Sequence, residues 1–433
     1  MKFSGWGLTN RADARLVTIS DAPTFAKALK NASNLTPAIP RGNGRAYGDQ
    51  ALSDTVWSSR RLDHILDFNE RTGVVTVEAG VTLGELQAIF MPRGFALPVT
   101  PGTQFVTVGG AIANDVHGKN HHSHGTIGEH ITAIELMRTD GTLLSLSKLW
   151  HRDLFAATIG GLGLTGFIVS ASIKLKKVAG PWIDAESLSF GSLDEFWSLT
   201  QESSSNEYTV SWLDIKRNAV RGIFNRGDDS TDNPDRPAPS DRSVSVPFTP
   251  PIGFINGLTV GALAEGYWQL GKRGLGRTVA HYKPFFYPLD AIKHWNRAYG
   301  PRGFYQHQAL IPADAAREGL EALVAAVRNS SERSAVSVLK TTGKRKRPGL
   351  LTYPIEGVTL ALDFANRGDS TRKLLKRLDE ITTEFGGRVN PSKDAAMSQE
   401  TFAASFGEDA IRKFNKQRDP GISSAQSKRL LGK

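Results

Sequence analysis

Apolar positions change spacing from one segment to the next along the front of the chain, which predicts a mixture of helices and strands. Residues 22–31 have apolar positions at helical spacing, and Asp21 stands where a helix N-cap is expected. Residues 38–40 and the β-branched run at 73–79 are typical of strands. The first elements of the chain are therefore predicted to be a helix followed by strands.

The following segments predict a second helix and a β-hairpin. Residues 83–93 have an amphipathic pattern that ends near Gly94. Residues 131–138 and 143–146 are apolar runs on either side of an Asp-Gly pair, which favours a tight hairpin turn.

Differences in residue composition divide the chain into three zones, at 1–180, 181–385 and 386–433. The first zone is rich in Gly turns, the second in aromatic residues, and the third is short, basic and partly helical in pattern. Residues 225–245 are dense in Asp, Pro, Ser and Arg, and we expect them to form a mobile loop because such a segment buries little apolar surface.

The middle zone also predicts both helices and strands, with a helical pattern at 315–329 and a strand pattern at 360–364. The chain has no Gly-x-Gly-x-x-Gly followed by a helix and by an acid at the spacing of a nicotinamide-binding sheet. The predicted fold class is α+β.

Composition narrows the possible chemistry. The chain has 433 residues, of which 39% are hydrophobic and 22% charged, as in a folded protein. It has no Cys, which excludes disulfides, Cys-ligated zinc, iron–sulfur clusters and a catalytic thiol. No window holds the ~20 uninterrupted apolar residues of a membrane span, and no signal-peptide pattern follows the first charge. We therefore expect a soluble protein or one attached to a membrane surface.

The charge balance indicates an anionic ligand. Lys and Arg number 53 against 43 Asp and Glu, a formal net charge of +10. This favours contact with a phosphate, an acidic membrane surface or a nucleic acid. The Lys-Arg-Lys-Arg run at 344–347 is interpreted as an exposed basic loop near anionic lipid headgroups rather than as a nucleic-acid patch.

The first chemical motif is the glycine loop at 40–49, Pro-Arg-Gly-Asn-Gly-Arg-Ala-Tyr-Gly-Asp. Three glycines in seven residues allow backbone N–H groups to line one concave surface, an arrangement that binds phosphate oxygens. Arg41 and Arg45 add positive charge. Taken alone, the loop is explained equally well as a surface turn.

A second cluster, at 107–124, joins small residues to four histidines. The small residues suit a backbone that lies against a flat, extended ligand. His117, His121, His122 and His124 allow three interpretations: metal ligands, polar loop residues, or neighbours of a cofactor. Their spacing does not match a His-Glu-x-x-His helix, so the cofactor interpretation is preferred and no metal is expected.

A third glycine cluster, at 160–166, precedes a predicted strand, which again favours close approach between backbone and ligand. Together the three clusters are more specific than any one of them. They fit a long dinucleotide extended between two subdomains.

In this order the motifs resemble the vanillyl-alcohol-oxidase type of FAD-linked oxidases, and within it the branch that oxidises polyprenylphosphoryl ribose. The resemblance covers nearly the whole chain and is most specific at 117–122 and 295–301. It implies a two-subdomain FAD-binding domain at 1–180 and a substrate domain on an antiparallel sheet at 181–385. Residues 386–433 would return to the FAD-binding domain.

The resemblance also implies where FAD is held. The implied cofactor-binding residues are Pro40, Arg41, Gly42, Asn43, Gly44, Arg45, Ala46, Tyr47, Gly48, Asp49, Gln50, Gly102, Thr107, Val108, Gly109, Gly110, Asn114, Asp115, Val116, His117, Ile168 and Asn390. Many relatives bind the flavin covalently through a His or a Cys. Here Tyr47 stands near that position and Cys is absent, so we expect non-covalent FAD.

On the substrate side, the resemblance implies Lys119, Trp212, Gln306, Gln308, Lys340 and Lys393. The implied catalytic residues are Lys393, His117 and Tyr47. Lys393 would stabilise the anionic reduced flavin and orient the substrate hydroxyl. Lys119 and Lys340 suit a phosphate. The alternatives are a solvated lysine at 393 and a core tryptophan at 212.

The chain departs from the family pattern at five positions. Ala361 stands where relatives carry a Cys, so inhibitors that trap that thiol should fail. The others are Thr359, Asn390, Phe286 and His307. These changes bear on the identity of the sugar and lipid more than on the type of reaction.

The implied activity is FAD-dependent oxidation of the C2′ hydroxyl of a polyprenylphosphoryl pentose to a 2′-keto sugar. This is the first half of epimerisation to arabinose for cell-wall arabinan, and an NAD(P)H-dependent short-chain reductase would complete it. An oxidase of a soluble alditol or aldonolactone and a nucleic-acid-binding protein are the alternatives; nucleic acid is not the expected partner. The expected location is cytoplasmic, peripheral at the inner membrane.

Overall fold

The computed structural model of the protein describes residues 1–31, 35–232, 237–239 and 243–432. Its strands are β1 (Lys2–Ser4), β2 (Arg11–Asp13), β3 (Arg15–Thr18), β4 (Ala38–Arg41), β5 (Thr55–Ser58), β6 (Ile65–Asn69), β7 (Val74–Glu78), β8 (Phe95–Ala96), β9 (Ile131–Met137), β10 (Leu143–Ser147), β11 (Phe167–Lys174), β12 (Lys176–Lys177), β13 (Trp182–Phe190), β14 (Tyr208–Ile215), β15 (Val220–Asp229), β16 (Val244–Ser245), β17 (Gly276–His281), β18 (Ile292–Lys293), β19 (Phe304–Pro312), β20 (Ser334–Thr342), β21 (Gly357–Ala365) and β22 (Arg388–Val389). Its α-helices are α1 (Ala22–Asn31), α2 (Leu83–Phe90), α3 (Val108–Ala113), α4 (His121–His124), α5 (Arg152–Thr158), α6 (Leu193–Glu202), α7 (Val260–Arg273), α8 (Tyr282–Phe286), α9 (Ala316–Arg328), α10 (Asp369–Glu384), α11 (Gln399–Phe406), α12 (Glu408–Gln417) and α13 (Ala425–Leu431). This mixture confirms the α+β prediction.

Two sheets form the front of the chain. Strands β3, β5 and β4 pair in parallel, and α1 packs beside them through Phe25 on Trp57. A second sheet, antiparallel, has the order β10-β9-β11-β7-β6. The predicted elements are confirmed here. Asp21 caps α1 by accepting a hydrogen bond from the Thr24 N–H at 2.7 Å, and β9 and β10 form the predicted hairpin.

An antiparallel sheet of eight strands follows, in the order β17-β13-β15-β14-β20-β21-β19-β22. Side chains alternate between its two faces. On one face Leu339, Leu360 and Phe364 share a core with α6, α9 and α10. The other face carries Gln308 and Lys340 towards the front sheets, so the sheet separates a packed face from a face that can form a site.

The C-terminal helices pack against the front of the chain. Phe402 of α11 and Phe414 of α12 belong to the core around the parallel sheet. Arg429 of α13 forms ion pairs with Asp49 at 2.7 Å and with Asp394 at 2.9 Å. The first glycine loop is therefore held by residues nearly four hundred positions away. Among the helices of the described ranges, none combines the length and the apolar character that a bilayer crossing needs.

The loop predicted at 225–245 is wrong at its start. Residues 225–229 are the end of β15, paired throughout with β13 and, at 225–227, also with β14. Their polar side chains are satisfied across the strands, as in the bond from Ser187 Oγ to Asn225 Oδ1 at 2.8 Å and the Arg226–Glu186 ion pair at 2.6 Å. Cross-strand partners thus allow a polar sequence to form a strand. Residues 233–236 and 240–242 of the predicted loop lie outside the described residues.

Candidate active site

A cavity of about 720 Å³ is lined by the front sheets on one side and by the eight-stranded sheet on the other. Residues from all three glycine clusters reach it. The predicted site residues that line it are Pro40, Arg41, Gly42, Asn43, Gly44, Arg45, Ala46, Tyr47, Gln50, Gly102, Thr107, Gly109, Gly110, Asn114, Asp115, Val116, His117, Lys119, Ile168, Trp212, Gln306, Gln308, Lys340, Asn390 and Lys393. Residues predicted from separate motifs therefore meet in one place.

Three predicted cofactor residues do not line this cavity. Val108 is fully buried in the core under the antiparallel front sheet. A Cβ on Gly48 would lie 2.0 Å from the carbonyl oxygen of Asp394, and the carboxylate of Asp49 is occupied by Arg429. The structure gives these three a supporting role, because they fix the loops that do line the cavity.

The first glycine loop presents a row of free donors. Within the described ranges, the backbone N–H groups of residues 42–46 donate to no other protein acceptor. The Arg45 guanidinium lies over the rings of Trp6, at 4.2 Å, and Phe105, at 4.8 Å, and its buried Nε has no partner among the described residues. A row of N–H groups beside a partly unpaired guanidinium fits the oxygens of a diphosphate.

The second glycine cluster has its backbone amides occupied within the protein, unlike the first. The N–H of Gly109 donates to Ala79 O at 2.9 Å, and that of Gly110 to Thr107 Oγ1 at 3.2 Å. A Cβ on Gly109 would lie 3.0 Å from the Cβ of Ala79. Glycine here allows α3 to pack closely against the front sheet, so this cluster supplies a wall rather than hydrogen-bond donors.

Three buried lysines reach the cavity from different elements. Burial lowers the pKa of Lys119 and of Lys340 to about 7, and that of Lys393 to about 8; for Lys340, the charges of Lys393 and Lys119 add to the effect. None of the three forms an ion pair with a carboxylate in the described part of the chain. Lys340 Nζ donates to Gly118 O at 2.8 Å, and Lys119 Nζ donates to Phe285 O. Such a cluster is stabilised by a bound anion.

His117 lies at the end of a chain of amides. Asn390 Nδ2 donates to Gln308 Oε1 at 2.9 Å, and Gln308 Nε2 lies 3.3 Å from His117 Nε2 and 3.1 Å from Thr359 Oγ1. The Tyr353 ring faces the imidazole at 5.6 Å. Burial, with the charge of Lys340 and others next, holds the pKa of His117 well below its usual value. The imidazole is therefore neutral and weakly basic, which suits positioning of a substrate better than removal of a proton.

The other three histidines of the second cluster do not line the cavity. Burial lowers the pKa of His121 to about 3, His122 Nε2 bonds Asn206 O at 2.8 Å, and the His124 ring stacks on that of His130. No cluster of potential metal ligands includes them within the described residues. His117 is thus the histidine of this cluster that lines the cavity, and its place beside a cofactor stays a prediction; the other three lie in the surrounding loops.

Comparison with known proteins decides the family. Residues 14–147 match the family model of an FAD binding domain. Over 424 residues the chain is 34% identical to decaprenylphosphoryl-β-D-ribose oxidase of Mycolicibacterium smegmatis, with 94% of this chain and 91% of that protein covered. The chain belongs to the decaprenylphosphoryl-ribose oxidase family of FAD-dependent oxidoreductases. This confirms the resemblance inferred from the motifs.

Two further relatives match about a third of the chain or less. L-Gulonolactone oxidase of Mus musculus is 31% identical over 134 residues, 31% of this chain and 30% of that protein. The Delta(24)-sterol reductase of Homo sapiens is 33% identical over 114 residues, 26% of this chain and 22% of that protein. Matches over so little of either chain carry no information on the substrate.

The cavity of this FAD-dependent oxidoreductase fits its cofactor. The donors at 42–46 and the Arg45 guanidinium suit the pyrophosphate, and the buried Oε1 of Gln50, which has no partner among the described residues, can accept a hydrogen bond from a ligand. A Cβ on Gly102 would meet nothing within 4 Å, which leaves open space beside the glycine. These features come from two segments far apart in sequence, the β4–β5 loop and the stretch after β8, as an extended dinucleotide requires.

Sequence reasoning missed one buried acid of this oxidoreductase. Asp363 on β21 accepts a hydrogen bond from Gln306 Nε2 at 2.5 Å, and its other oxygen has no partner within the described ranges. Burial raises the pKa of Asp363 to about 7, and its charge raises the pKa of Lys393. The sequence signal that could have found it is the alternation of side chains along a strand. Asp363 lies two residues after Ala361, so both are on the face of β21 where Ala361 lines the cavity.

The departures from the family pattern have different structural consequences. Thr359 and Asn390 both hold Gln308, and Phe286 and Ala361 form part of the cavity wall. His307 faces the opposite side of the sheet, where its Nε2 lies 2.8 Å from Asp379 Oδ1 of α10. The departure from the family pattern at His307 therefore affects packing between the sheet and α10 rather than contact with the substrate.

Proposed function

We propose that the protein oxidises the C2′ hydroxyl of a polyprenylphosphoryl ribose to a 2′-keto sugar. The observation that carries the proposal is the group of three buried lysines without carboxylate partners, beside an apolar wall that includes Trp212 and Val338. A phosphate would compensate the lysines, and a prenyl chain would cover the wall. The name of the relative from M. smegmatis describes an oxidase of this kind of substrate.

The side chains of the cavity have distinct parts in this proposal. Lys119 and Lys340 bind the phosphate, and Gln308, held by Asn390 and Thr359, positions the sugar with His117. Lys393 orients the hydroxyl and stabilises negative charge that develops in the cavity. FAD, when bound, would supply the acceptor for the hydride from C2′, and the hydroxyl proton would pass to water.

Turnover of two substrates tests the function. Purified protein with polyprenylphosphoryl ribose is expected to bleach its flavin absorbance and to form a 2′-keto sugar, whereas an alditol or aldonolactone is not. Because Lys119 and Lys340 must be charged to hold a phosphate, and their pKa values are about 7, KM should rise with pH. We expect an increase of roughly fiftyfold between about pH 7 and pH 9 for each lysine that must be charged. Turnover of the alditol alone would reverse the assignment.

The keto product requires a second enzyme in this proposal. Reduction from the opposite face needs a hydride donor, and the chain has no nicotinamide motif. We therefore propose an NAD(P)H-dependent short-chain reductase as the partner that completes epimerisation to arabinose for arabinan of the cell wall. The lipid substrate also implies contact with a membrane, and we propose a cytoplasmic protein peripheral at the inner membrane.

We propose that FAD is bound without a covalent bond. The chain has no Cys, and the side chain near the position used by relatives is Tyr47. Burial raises the pKa of its phenol well above the usual value, so it stays neutral and poorly nucleophilic. Denaturation in acid followed by filtration is expected to release all of the yellow colour. Flavin absorbance that stays with the precipitated protein would contradict this.

A further inference from the structure

Large apolar side chains are exposed along one surface of the second zone. Leu258 is 94% exposed, Ile252 78%, Leu270 65% and Phe248 63%. We call Phe248, Ile252, Phe254, Leu258, Leu263 and Leu270 the α7 surface, after the helix that carries the last two. So many large exposed apolar side chains within residues 248–270 are typical of an interaction site in a folded protein.

Helix α7 shows why these side chains remain exposed. Val260 and Ala264 are buried, and Ala264 packs on Trp212 and Ile223. Leu263 and Leu270 lie seven residues apart on a different side of the helix and remain exposed. The helix is therefore apolar on two sides, of which only one is covered in the described part of the chain.

The α7 surface continues to the mouth of the cavity. Val246 N–H donates to Lys293 O at 3.0 Å, and Ile255 N–H donates to Ala298 O at 3.0 Å, which lays the exposed segment along the stretch that begins with β18. Ile292, 43% exposed, lines the cavity from that stretch. Tyr267 of α7 also lines the cavity, with its ring 4.7 Å from that of Trp212. The segments that carry the exposed apolar residues thus also contribute Ile292 and Tyr267 to the cavity wall.

The charge of this face suits an acidic partner. Residues 244–302 contain seven Lys and Arg against two acids, Glu265 and Asp290. Glu265 is paired with Arg221 at 2.6 Å, and Asp290 accepts a hydrogen bond from the Gln104 N–H at 2.8 Å. Both acids are therefore engaged within the protein. Apolar side chains bordered by basic ones are typical of surfaces that bind anionic membranes.

We propose that the α7 surface inserts into the boundary between headgroups and acyl chains of an anionic bilayer, and so opens the cavity towards a membrane-held substrate. The inference rests on the proposed function for the identity of that substrate. The α7 surface is inferred independently of that function, from its exposed apolar side chains, its link to the cavity and the basic residues of its segment. It differs from the basic run at 344–347, where Arg345 is paired with Glu129 at 2.9 Å.

A competing membrane contact supplies the matched control. Leu149 and Trp150 are 88% and 69% exposed, and the neighbouring Lys148 Nζ donates to the carbonyl oxygen of Glu129, the residue that pairs with Arg345. This second patch therefore also joins apolar and basic side chains. The double variants L258E/L270E and L149E/W150E make the same chemical change on the two patches, and none of the four residues lines the cavity.

The test is sedimentation of the FAD-loaded full chain with vesicles of phosphatidylcholine and phosphatidylglycerol. Wild type is expected to bind, and to bind less to phosphatidylcholine alone. L258E/L270E should lose about tenfold or more of the binding, and L149E/W150E should bind as wild type. Flavin reduction by a short-chain, water-soluble polyprenylphosphoryl ribose should be unchanged in L258E/L270E.

Three results would overturn the proposal. They are wild type that does not bind vesicles, L258E/L270E that binds as well as wild type, and loss of binding confined to L149E/W150E. An L258E/L270E variant that keeps vesicle binding but loses coupling to a reductase would assign the surface to a protein partner instead. If vesicle binding follows expectation but the short-chain substrate does not reduce the flavin, the proposed function fails while the membrane surface stands.

Discussion

Replacing Lys393 with methionine is expected to leave FAD bound and to slow reduction of the flavin by substrate by about 10²–10³-fold. Methionine is one atom shorter, keeps the unbranched shape of the side chain and removes its charge. Lys393 Nζ lies 4.3 Å from the centre of the Tyr47 ring, and Tyr47 belongs to the glycine loop that lines the cavity. The measurement is the rate of loss of flavin absorbance in anaerobic stopped flow, with the FAD content of the variant measured first.

The exposed Lys373 of α10 provides a control for this variant, since Lys373→Met removes the same charge far from the cavity wall. It should reduce its flavin at the wild-type rate. The dependence on pH adds a second criterion: wild-type reduction should fall as pH rises through about 8, where Lys393 loses its proton, and the variant should lack that step. An unchanged rate in Lys393→Met would remove this residue from the catalytic assignment.

The parts of the fold that could be predicted from the sequence are those with local signals. Asp21 and the apolar positions after it define α1, and the Asp-Gly pair defines the hairpin of β9 and β10, because capping and turn chemistry act over a few residues. Residues 225–229 were wrongly predicted as a loop because the contacts that make them a strand are not local. Their partners, which include Ser187 and Glu186, lie some forty positions away. The residue types near 225–229 therefore do not indicate them.

The candidate site divides in a similar way. The glycine loop and the lysines could be identified from motifs and a family resemblance, whereas their surroundings depend on contacts between distant segments. Tyr353 reaches His117 from more than two hundred positions away, and Asp363 becomes important only because it is buried near Lys393. The N–H groups of Gly109 and Gly110 donate to Ala79 and Thr107, which the residue types alone do not indicate. Burial and partner choice, unlike residue type, are properties of the folded chain.

Substitution of Gly42 by alanine is expected to give a folded protein that retains less than about a tenth of its FAD. A Cβ there would lie 2.2 Å from Thr107 Oγ1 and 2.9 Å from Thr107 Cγ2. Thr107 cannot easily yield, because its hydroxyl caps α3 by accepting the Gly110 N–H. The glycine loop must shift instead, and the donors at 42–46 lose their common direction. Flavin absorbance relative to protein, and titration of the apoprotein with FAD, measure the effect.

Two further variants make this expectation specific. Gly266→Ala, where a Cβ meets nothing within 4 Å, should keep wild-type FAD content and controls for the loss of a glycine as such. The double variant G42A/T107A removes the two atoms nearest to the new Cβ and should recover part of the binding, at the cost of the α3 cap. Circular dichroism separates loss of FAD from loss of fold. A folded, fully yellow Gly42→Ala protein would mean that this loop does not hold the pyrophosphate, because a displaced row of donors cannot bind it as before.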